Sequence, residues 1–164
     1  MKKLLLLLTL AVICSCSGQV DPASYESSNP TNMQRAINFI QECGNYYLAT
    51  ADKDQPRVRP FGTFIPYEGK VYIVTSNTKK TYKQLSDNQK AEICGLKSDR
   101  SFIRITATLQ EDTRMKAKED ILELAPHLKG RYSADDGILA IFFLKDASVR
   151  ECTMSGENEV DYEF

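Results

Sequence analysis

The chain has 164 residues, of which 42% are hydrophobic, enough to build one domain with a real core and too many for wholesale disorder. Its 21 basic and 22 acidic side chains nearly cancel, and the basic residues do not gather with aromatics into a stripe. We therefore set aside nucleic acid as a partner. One histidine and no C-x-x-C motif argue against a zinc site or a histidine-based catalytic triad, so no metal is expected.

The first element of the chain is a targeting segment rather than part of the fold. Lys2 and Lys3 precede an apolar run, residues 4–13, which is too short to anchor stably across a bilayer. The run leads into I-C-S-C, which resembles a bacterial lipobox, so residues 1–15 are expected to be a lipoprotein signal peptide and Cys16 the lipid carrier. The alternative is a plain secretory signal cleaved nearby. On the first interpretation the protein is an exported, membrane-anchored lipoprotein on the periplasmic or cell-surface side.

Residues 16–30 are polar and rich in Ser, Asp, Asn and Pro, which predicts a tether between lipid and domain. Residues 31–164 then form one folded domain. It contains three further cysteines, Cys43, Cys94 and Cys152, and the sequence leaves open whether any two of them pair.

Helical and strand patterns alternate along this domain. A helix is predicted from Thr31 or Asn32, either of which can cap it, to just before Gly44. Strands are predicted over 46–51, 57–67, 71–75, 91–96, 102–110, 138–144 and 148–154, with shorter helices over 79–87 and from Asp112 or Thr113 to Pro126. Antiparallel strands with short turns and few helices predict a closed or nearly closed barrel with flanking helices, and the absence of G-x-G-x-x-G speaks against a dinucleotide-binding unit.

Two basic side chains are expected on one face of the second strand. Arg57 and Arg59 lie two residues apart, so they point to the same side. A phosphate suits such a pair because each guanidinium can donate two parallel hydrogen bonds. The plain alternative is a solvated face with acidic residues opposite.

A second group of polar residues follows the third strand. Hydroxyls and amides of residues 75–78 end this strand, and Lys79 and Lys80 open the next helix. Backbone N–H groups and the positive end of the helix converge there, which favours an anion in front of it. Ordinary helix capping by Asn77 or Thr78 is the alternative, but the two groups together predict a phosphate-bearing ligand.

The order of these motifs resembles the pyridoxamine 5′-phosphate oxidase-like superfamily. The resemblance lies in Y-L-A-T-A-D-x-D-Q-P-R-V-R-P-F-G and V-Y-I-V-T-S-N-T-K-K-T-Y-K-Q-L, followed by F-I-R-I-T-A-T-L-Q-E-D, A-P-H-L, R-Y-S and I-L-A-I-F-F-L. It covers about residues 33–154. The resemblance implies a six-stranded antiparallel split β-barrel that dimerises and binds FMN, or in some branches F420 or haem, between subunits.

The resemblance also implies which residues hold the cofactor. Arg57 or Arg59 and the strand-end and helix-start residues would contact its phosphate, and residues 60–62 would lie along the isoalloxazine. The implied set is Arg57, Arg59, Pro60, Phe61, Gly62, Thr75, Ser76 and Lys80, with Asn77, Lys79 and Gln84 as weaker candidates.

The chain departs from the true oxidase at its C-terminus, where an acidic E-N-E-V-D-Y-E-F replaces the arginine-containing segment that holds pyridoxal phosphate. The sequence therefore predicts an FMN-dependent oxidoreductase for another small organic substrate or electron acceptor. The alternatives are a lipid-anchored carrier for flavin, haem or another planar ligand, and a dimeric interaction domain whose site has decayed. No catalytic residue is assigned. Tyr132 and Arg104 are the polar residues to inspect first, and His127 is not expected to ligate haem.

Overall fold

A computed structural model describes residues 21–164 of the chain. The predicted signal peptide and the lipid-bearing Cys16 lie outside the described residues. Helix α1 spans Pro30–Cys43, and its cap is Asn29 rather than the predicted Thr31 or Asn32. The side chain of Asn29 accepts a hydrogen bond from the backbone N–H of Asn32, and proline occupies the first helical position, where its missing N–H costs nothing. Gly44, with φ of 73°, ends the helix as predicted.

Eight strands and two further helices follow in the described residues. In chain order they are β1 (Tyr46–Asp52), β2 (Gln55–Phe61), β3 (Ile65–Tyr67), β4 (Lys70–Ser76), α2 (Lys80–Asp87), β5 (Lys90–Leu96), β6 (Ser101–Asp112), α3 (Met115–Leu124), a 3₁₀ turn (Pro126–Leu128), β7 (Leu139–Thr153) and β8 (Val160–Glu163).

The strands form one antiparallel sheet in the order β2-β1-β5-β6-β7-β4-β3, with β8 added to β7. The two ends of this order, β2 and β3, are consecutive in the chain and joined only by residues 62–64. The sheet must therefore curl until its two edges approach each other at this corner, although they do not pair. The six longer strands give the predicted split barrel, mainly β with flanking helices, and β3 and β8 are short additions.

Strand β7 is the longest strand and pairs with three others, β4, β6 and β8. Its first part pairs with β4 and its last part with β8, while β6 runs beside it along most of its length. The sequence predicted two strands here, but the chain continues through Asp146, which takes up a positive φ of 53°. Conversely, the sequence predicted one strand over 57–67 where the structure has two. Strands β2 and β3 are separated by residues 62–64, where the chain turns between the two sheet edges.

Two hydrophobic clusters fill the fold. The larger lies inside the curled sheet, under α1 and α2, and includes Leu48, Ile73 and Ile105, all at most 1% exposed. The smaller packs α3 and the 3₁₀ turn on the other side of β4 and β7, through residues such as Ile121 and Phe143. Strand β4 is buried on both faces and separates the two clusters, so its end is a fixed point on which a site can be built.

The part of the predicted tether that the structure describes lies against the domain. The ring of Tyr25 packs on Phe143 with centroids 5.3 Å apart, and its hydroxyl accepts from the backbone N–H of Asp146. The backbone oxygen of Tyr25 accepts from the buried ammonium of Lys70 at 2.8 Å. Together with the N–H of Ser27, which donates to the carbonyl of Gly69 at 2.9 Å, these contacts hold the segment on the barrel.

The acidic C-terminal segment is also ordered. It forms β8, where Asp161 pairs with Arg150 at 2.7 Å and Phe164 enters the larger cluster at 4% exposure. In the described residues no helix has the length and apolar character needed to cross a membrane. The three cysteines of the domain, Cys43, Cys94 and Cys152, are all free thiols.

Candidate functional site

The corner where the sheet edges meet contains a pocket of about 260 Å³. Four of the predicted cofactor residues line it: Pro60, Phe61, Gly62 and Lys79. The corner is fixed from both sides, since Thr63 accepts from the hydroxyl of Tyr46 through its carbonyl and from the N–H of Val74 through its own hydroxyl. The backbone of residues 60–63 is therefore held rigidly at the pocket wall.

The Arg59 guanidinium is held by neutral oxygens alone. It donates to the carbonyl of Leu48 at 3.2 Å, the hydroxyl of Thr50 at 2.7 Å and the amide oxygen of Gln84 at 2.7 Å. Within residues 21–164 it forms no ion pair with a carboxylate. Burial and the charge of Arg57 both lower the pKa of Arg59. A half-buried positive charge without a counterion is a position that an anion would stabilise.

Arg57 lies in a different environment from Arg59. It is exposed, and its Nε is 3.6 Å from a carboxylate oxygen of Asp52 across the β1–β2 turn. This matches the plain alternative of a solvated strand face with an acid opposite. Arg57 stays a candidate for the phosphate, but Arg59 has the geometry of a built site.

The turn between β4 and α2 uses most of its polar side chains internally. The Ser76 hydroxyl accepts from the N–H of Thr78, and the Asn77 amide donates to the carbonyl of Gly137 at 2.7 Å. The N–H of Asn77 also bonds to the carbonyl of Ile138. Asn77 thus ties this turn to the start of β7, a structural role that sequence reasoning did not predict.

Thr75 carries a buried hydroxyl without a hydrogen-bond partner. The residue is 1% exposed, and its Oγ1 is the unsatisfied buried side-chain atom found in the described part of the chain. An unpaired buried hydroxyl costs about 1–3 kcal/mol, so such an atom needs an explanation. Thr75 precedes Ser76 at the end of β4, where the sequence predicts a phosphate. Its hydroxyl lies beneath the protein surface.

Helix α2 begins at this turn without a side-chain cap. Lys79 is in the capping position and offers no acceptor, and no acidic residue follows in the first turn. Neither Lys79 nor Lys80 forms an ion pair within residues 21–164. The uncapped N–H groups, the helix dipole and two unpaired ammonium groups together form a positive region that suits phosphate or carboxylate.

Sequence reasoning missed part of the pocket. His127, Leu128 and Arg131 also line it, so His127 lies beside the predicted cofactor residues. The 126–132 segment reaches the corner because Leu128 and Tyr132 are buried in the smaller cluster. The sequence signal was the alternation of apolar and basic residues after Pro126. Arg104, in contrast, lies elsewhere on the sheet, 3.9 Å from Glu92, while Tyr132 does line the pocket.

The predicted site is therefore divided into two neighbouring parts. Arg59 with Thr50 and Gln84 forms the first part, and the corner pocket with Lys79 forms the second. Helix α2 connects the two, because Lys79 occupies its N-cap position and Gln84 lies within it. The first part can bind an anionic group and the second a flat apolar one with polar edges. No cluster of three or more potential metal ligands occurs in residues 21–164.

The chain matches no protein-family model and none of the curated proteins. Solved structures give clear similarities. A NimC/NimA family protein from Clostridium acetobutylicum is 44% identical, with a TM-score of 0.76, over 81% of this chain and 94% of that one.

Two more distant structures share the fold. One is a pyridoxamine 5′-phosphate oxidase-related, FMN-binding protein from Nostoc punctiforme, 14% identical with a TM-score of 0.61, over 81% of this chain and 87% of that one. The other is a heme-binding protein from Mycobacterium smegmatis, also 14% identical, with a TM-score of 0.60, over 82% of this chain and 59% of that one.

The fold and its neighbours define a split barrel of the pyridoxamine 5′-phosphate oxidase-like class, as the sequence predicted. Within that class, the identity to the Clostridium protein is high enough over nearly the whole of both chains to assign the family. The chain belongs to the NimC/NimA family.

Proposed function

We propose that this protein binds FMN and acts as a flavin-dependent oxidoreductase on a small organic substrate. The observation that carries the proposal is the Arg59 guanidinium, fixed by three neutral acceptors and left without a carboxylate within the described residues. A phosphate monoester supplies the missing negative charge. The FMN-binding protein from Nostoc punctiforme has the same fold, which supports this choice of ligand.

The residues present fit the phosphate of such a cofactor. Arg59, Lys80 and the uncapped start of α2 would hold it, since all three carry positive charge that no described carboxylate neutralises. The unsatisfied hydroxyl of Thr75 lies next to the same turn. These contacts would bind the group and would take no part in chemistry.

The corner pocket would receive the flat ring system. Phe61, Val74 and Leu128 offer apolar surface, and residues 60–63 form one wall of the pocket. When bound, a flavin supplies hydride or electron transfer, which no side chain of this pocket could supply alone. The protein would orient the ring and exclude water from one side of it.

A second copy of the chain would complete the site. A pocket of about 260 Å³ is smaller than the 300 to 1,000 Å³ typical of cavities that enclose a ligand. Pro60, at its edge, is paired with Tyr47, which belongs to a sheet face with several exposed apolar side chains. These are Tyr47, Val58, Leu96 and Met154. We propose that this face, continuous with the pocket edge, is covered in a homodimer.

Haem is the second candidate ligand, and one observation favours it. His127, the single histidine of the chain, is exposed and lines the corner pocket. A heme-binding protein shares the fold. A haem-loaded protein would act as a carrier rather than as a flavoenzyme, and F420 is a third possibility that the same positive region would accept.

The cellular location rests on the sequence alone. From the lipobox-like I-C-S-C we propose that the domain lies outside the cytoplasm, attached through lipid on Cys16. This proposal is independent of the cofactor, and mass spectrometry of the N-terminal peptide tests it directly.

The experiment that tests the cofactor is an absorption spectrum of the full chain purified without added ligand, followed by titration with FMN. Lys80→Ala is expected to weaken FMN binding about tenfold or more, the effect of one charge-assisted contact. Lys83→Ala is the matched control, because Lys83 lies on the same helix and is already paired with Asp87. If the chain does not bind FMN but binds haem through His127, the proposal is wrong.

A further inference from the structure

The corner pocket has an unusual balance of charge. Its lining includes Lys79, Arg131 and His127 but no aspartate or glutamate. In a chain with a formal net charge of −1, Lys79 and Arg131 give this pocket a local excess of positive charge. Within residues 21–164, most other lysine and arginine side chains form ion pairs with carboxylates, among them Arg35, Arg114 and Arg150.

The cationic groups of the pocket are not used to stabilise the fold. Neither Arg131 nor Lys79 forms an ion pair within residues 21–164. Lys129, only two residues before Arg131, does pair, with Glu123 at 2.7 Å. An acid is thus present in this neighbourhood, and it is bound to a lysine that lines another part of the surface.

The backbone that carries Arg131 is well fixed. The N–H of Arg131 donates to the carbonyl of Leu128 at 2.8 Å, and the N–H of Tyr132 to the same carbonyl at 2.9 Å. Leu128 and Tyr132 are 7% and 8% exposed and anchor the turn in the smaller hydrophobic cluster. Fixed backbone on both sides of Arg131 reduces the ordering cost of binding a ligand there.

Tyr132 follows Arg131 in the chain and lines the same pocket, and the proposed flavin contacts do not use it. An aromatic side chain in the same lining as Lys79 and Arg131 complements a small organic molecule that has a carboxylate at one end. The guanidinium of Arg131 can bind that carboxylate through two parallel hydrogen bonds.

We propose that Arg131, with Lys79 and His127, forms an anion subsite that selects small organic acids as substrates. The proposal rests on the proposed function for its biological meaning, because the subsite lies beside the wall assigned to the flavin ring. The binding of an acid does not itself depend on flavin. Arg131 acts here by recognising the substrate and takes no part in electron transfer.

Benzoate and its neutral isostere benzamide test this directly. Calorimetric titrations are made with the full chain, free of any histidine tag, before and after addition of FMN. Benzoate is expected to bind at least tenfold more tightly than benzamide. Arg131→Gln should weaken benzoate about 10- to 100-fold, whereas Lys129→Gln, the matched control, should leave it unchanged.

His127 provides a second readout that does not depend on flavin. As the only histidine of the sequence, it gives a single set of imidazole NMR signals. Benzoate should shift these signals at similar concentrations in the natural chain and in Lys129→Gln, and only at 10- to 100-fold higher concentrations in Arg131→Gln. The same spectra show whether Arg131→Gln is folded.

The outcomes separate this proposal from the proposed function. If the chain binds benzoate but does not bind FMN, the proposed flavin function is wrong and the anion subsite is supported. Equal binding of benzoate and benzamide would refute the subsite. If Arg131→Gln instead weakens FMN, or inorganic phosphate displaces FMN and benzoate equally, the pocket holds the cofactor's phosphate and the subsite proposal is wrong.

Discussion

The guanidinium of Arg59 and the amide oxygen of Gln84 lie 2.7 Å apart, and this contact joins strand β2 to helix α2. The same oxygen accepts from the Thr50 hydroxyl at 2.7 Å. A glutamine at this position orients the arginine without neutralising it. Its positive charge therefore remains available for a ligand.

Gln84→Glu separates orientation from charge. The carboxylate can accept the same two hydrogen bonds and adds an ion pair with Arg59, so the unfolding midpoint should stay the same or rise. FMN affinity should fall at least tenfold, because the arginine is then neutralised before the phosphate arrives. Thermal denaturation and flavin titration measure the two effects. Unchanged FMN affinity would show that Arg59 does not bind the phosphate.

Gly95→Ala should destabilise the packing of α1 on β5. A Cβ at Gly95 would lie 2.9 Å from the Cys43 sulfur and 3.1 Å from Cδ1 of Ile40. Such overpacking costs about 1–3 kcal/mol of unfolding free energy. Gly130→Ala is the control, since nothing lies within 4 Å of its added Cβ.

Urea denaturation measures this cost, and a double-mutant cycle identifies its cause. Cys43→Ala removes the nearest atom, so Gly95→Ala should cost less in that background than in the natural chain. An equal cost in both backgrounds would contradict the steric explanation.

Arg114→Gln should lower stability mainly at neutral pH. Burial alone would raise the pKa of Asp112, but hydrogen bonds from Arg114 and Tyr72 outweigh it and hold that pKa below its ordinary value. A carboxyl with a lowered pKa in the folded state stabilises the protein above the unfolded-state pKa of about 3.9, and this contribution is lost as the pH falls through the folded-state pKa.

Removing the arginine leaves the buried carboxylate of Asp112 without its ion-pair partner, at a cost of about 3 kcal/mol at pH 7. The difference from the natural chain should shrink at pH 4, because the carboxyl of the variant can then protonate. Urea denaturation at both values tests this. A difference that is the same at pH 7 and pH 4 would exclude the ion pair as the cause.

Tyr25 should contribute to the stability of the domain although it lies in the predicted tether. Tyr25→Phe removes the hydroxyl that accepts from Asp146 and should cost about 1 kcal/mol. Tyr25→Ala also removes the ring from Phe143 and should cost at least about 2 kcal/mol. Lys90→Gln, at an exposed position outside this segment, should change the unfolding free energy by less than about 0.5 kcal/mol. Equal changes in unfolding free energy for all three variants would show that residues 21–29 do not pack against the barrel.

The sequence predicted the fold class and several residues that line one corner. This was possible because β-strand periodicity, Gly44 and the 75–80 turn are local signals, and because their order resembles a known family. Local signals also have limits here. Asp112 was read as a helix cap, yet it is fully buried at the end of β6, and α3 begins only at Met115.

The parts that sequence reasoning missed depend on contacts between distant segments. His127 and Arg131 reach the corner only because Leu128 and Tyr132 pack against β4 and β7. The C-terminal strand β8 has an acidic sequence, and it is stabilised by Arg150 and by the buried Phe164 rather than by its own propensity. No local pattern records such pairings.

The most direct test of the central claim compares FMN with riboflavin, which lacks the phosphate. For the full chain we predict that FMN binds at least tenfold more tightly than riboflavin. We also predict that Arg59→Gln abolishes this preference by weakening FMN alone, and that Arg57→Gln, in the exposed pair with Asp52, reduces it less. Equal affinities for the two flavins in the natural chain, or no binding of either, would contradict a phosphate cradle at Arg59.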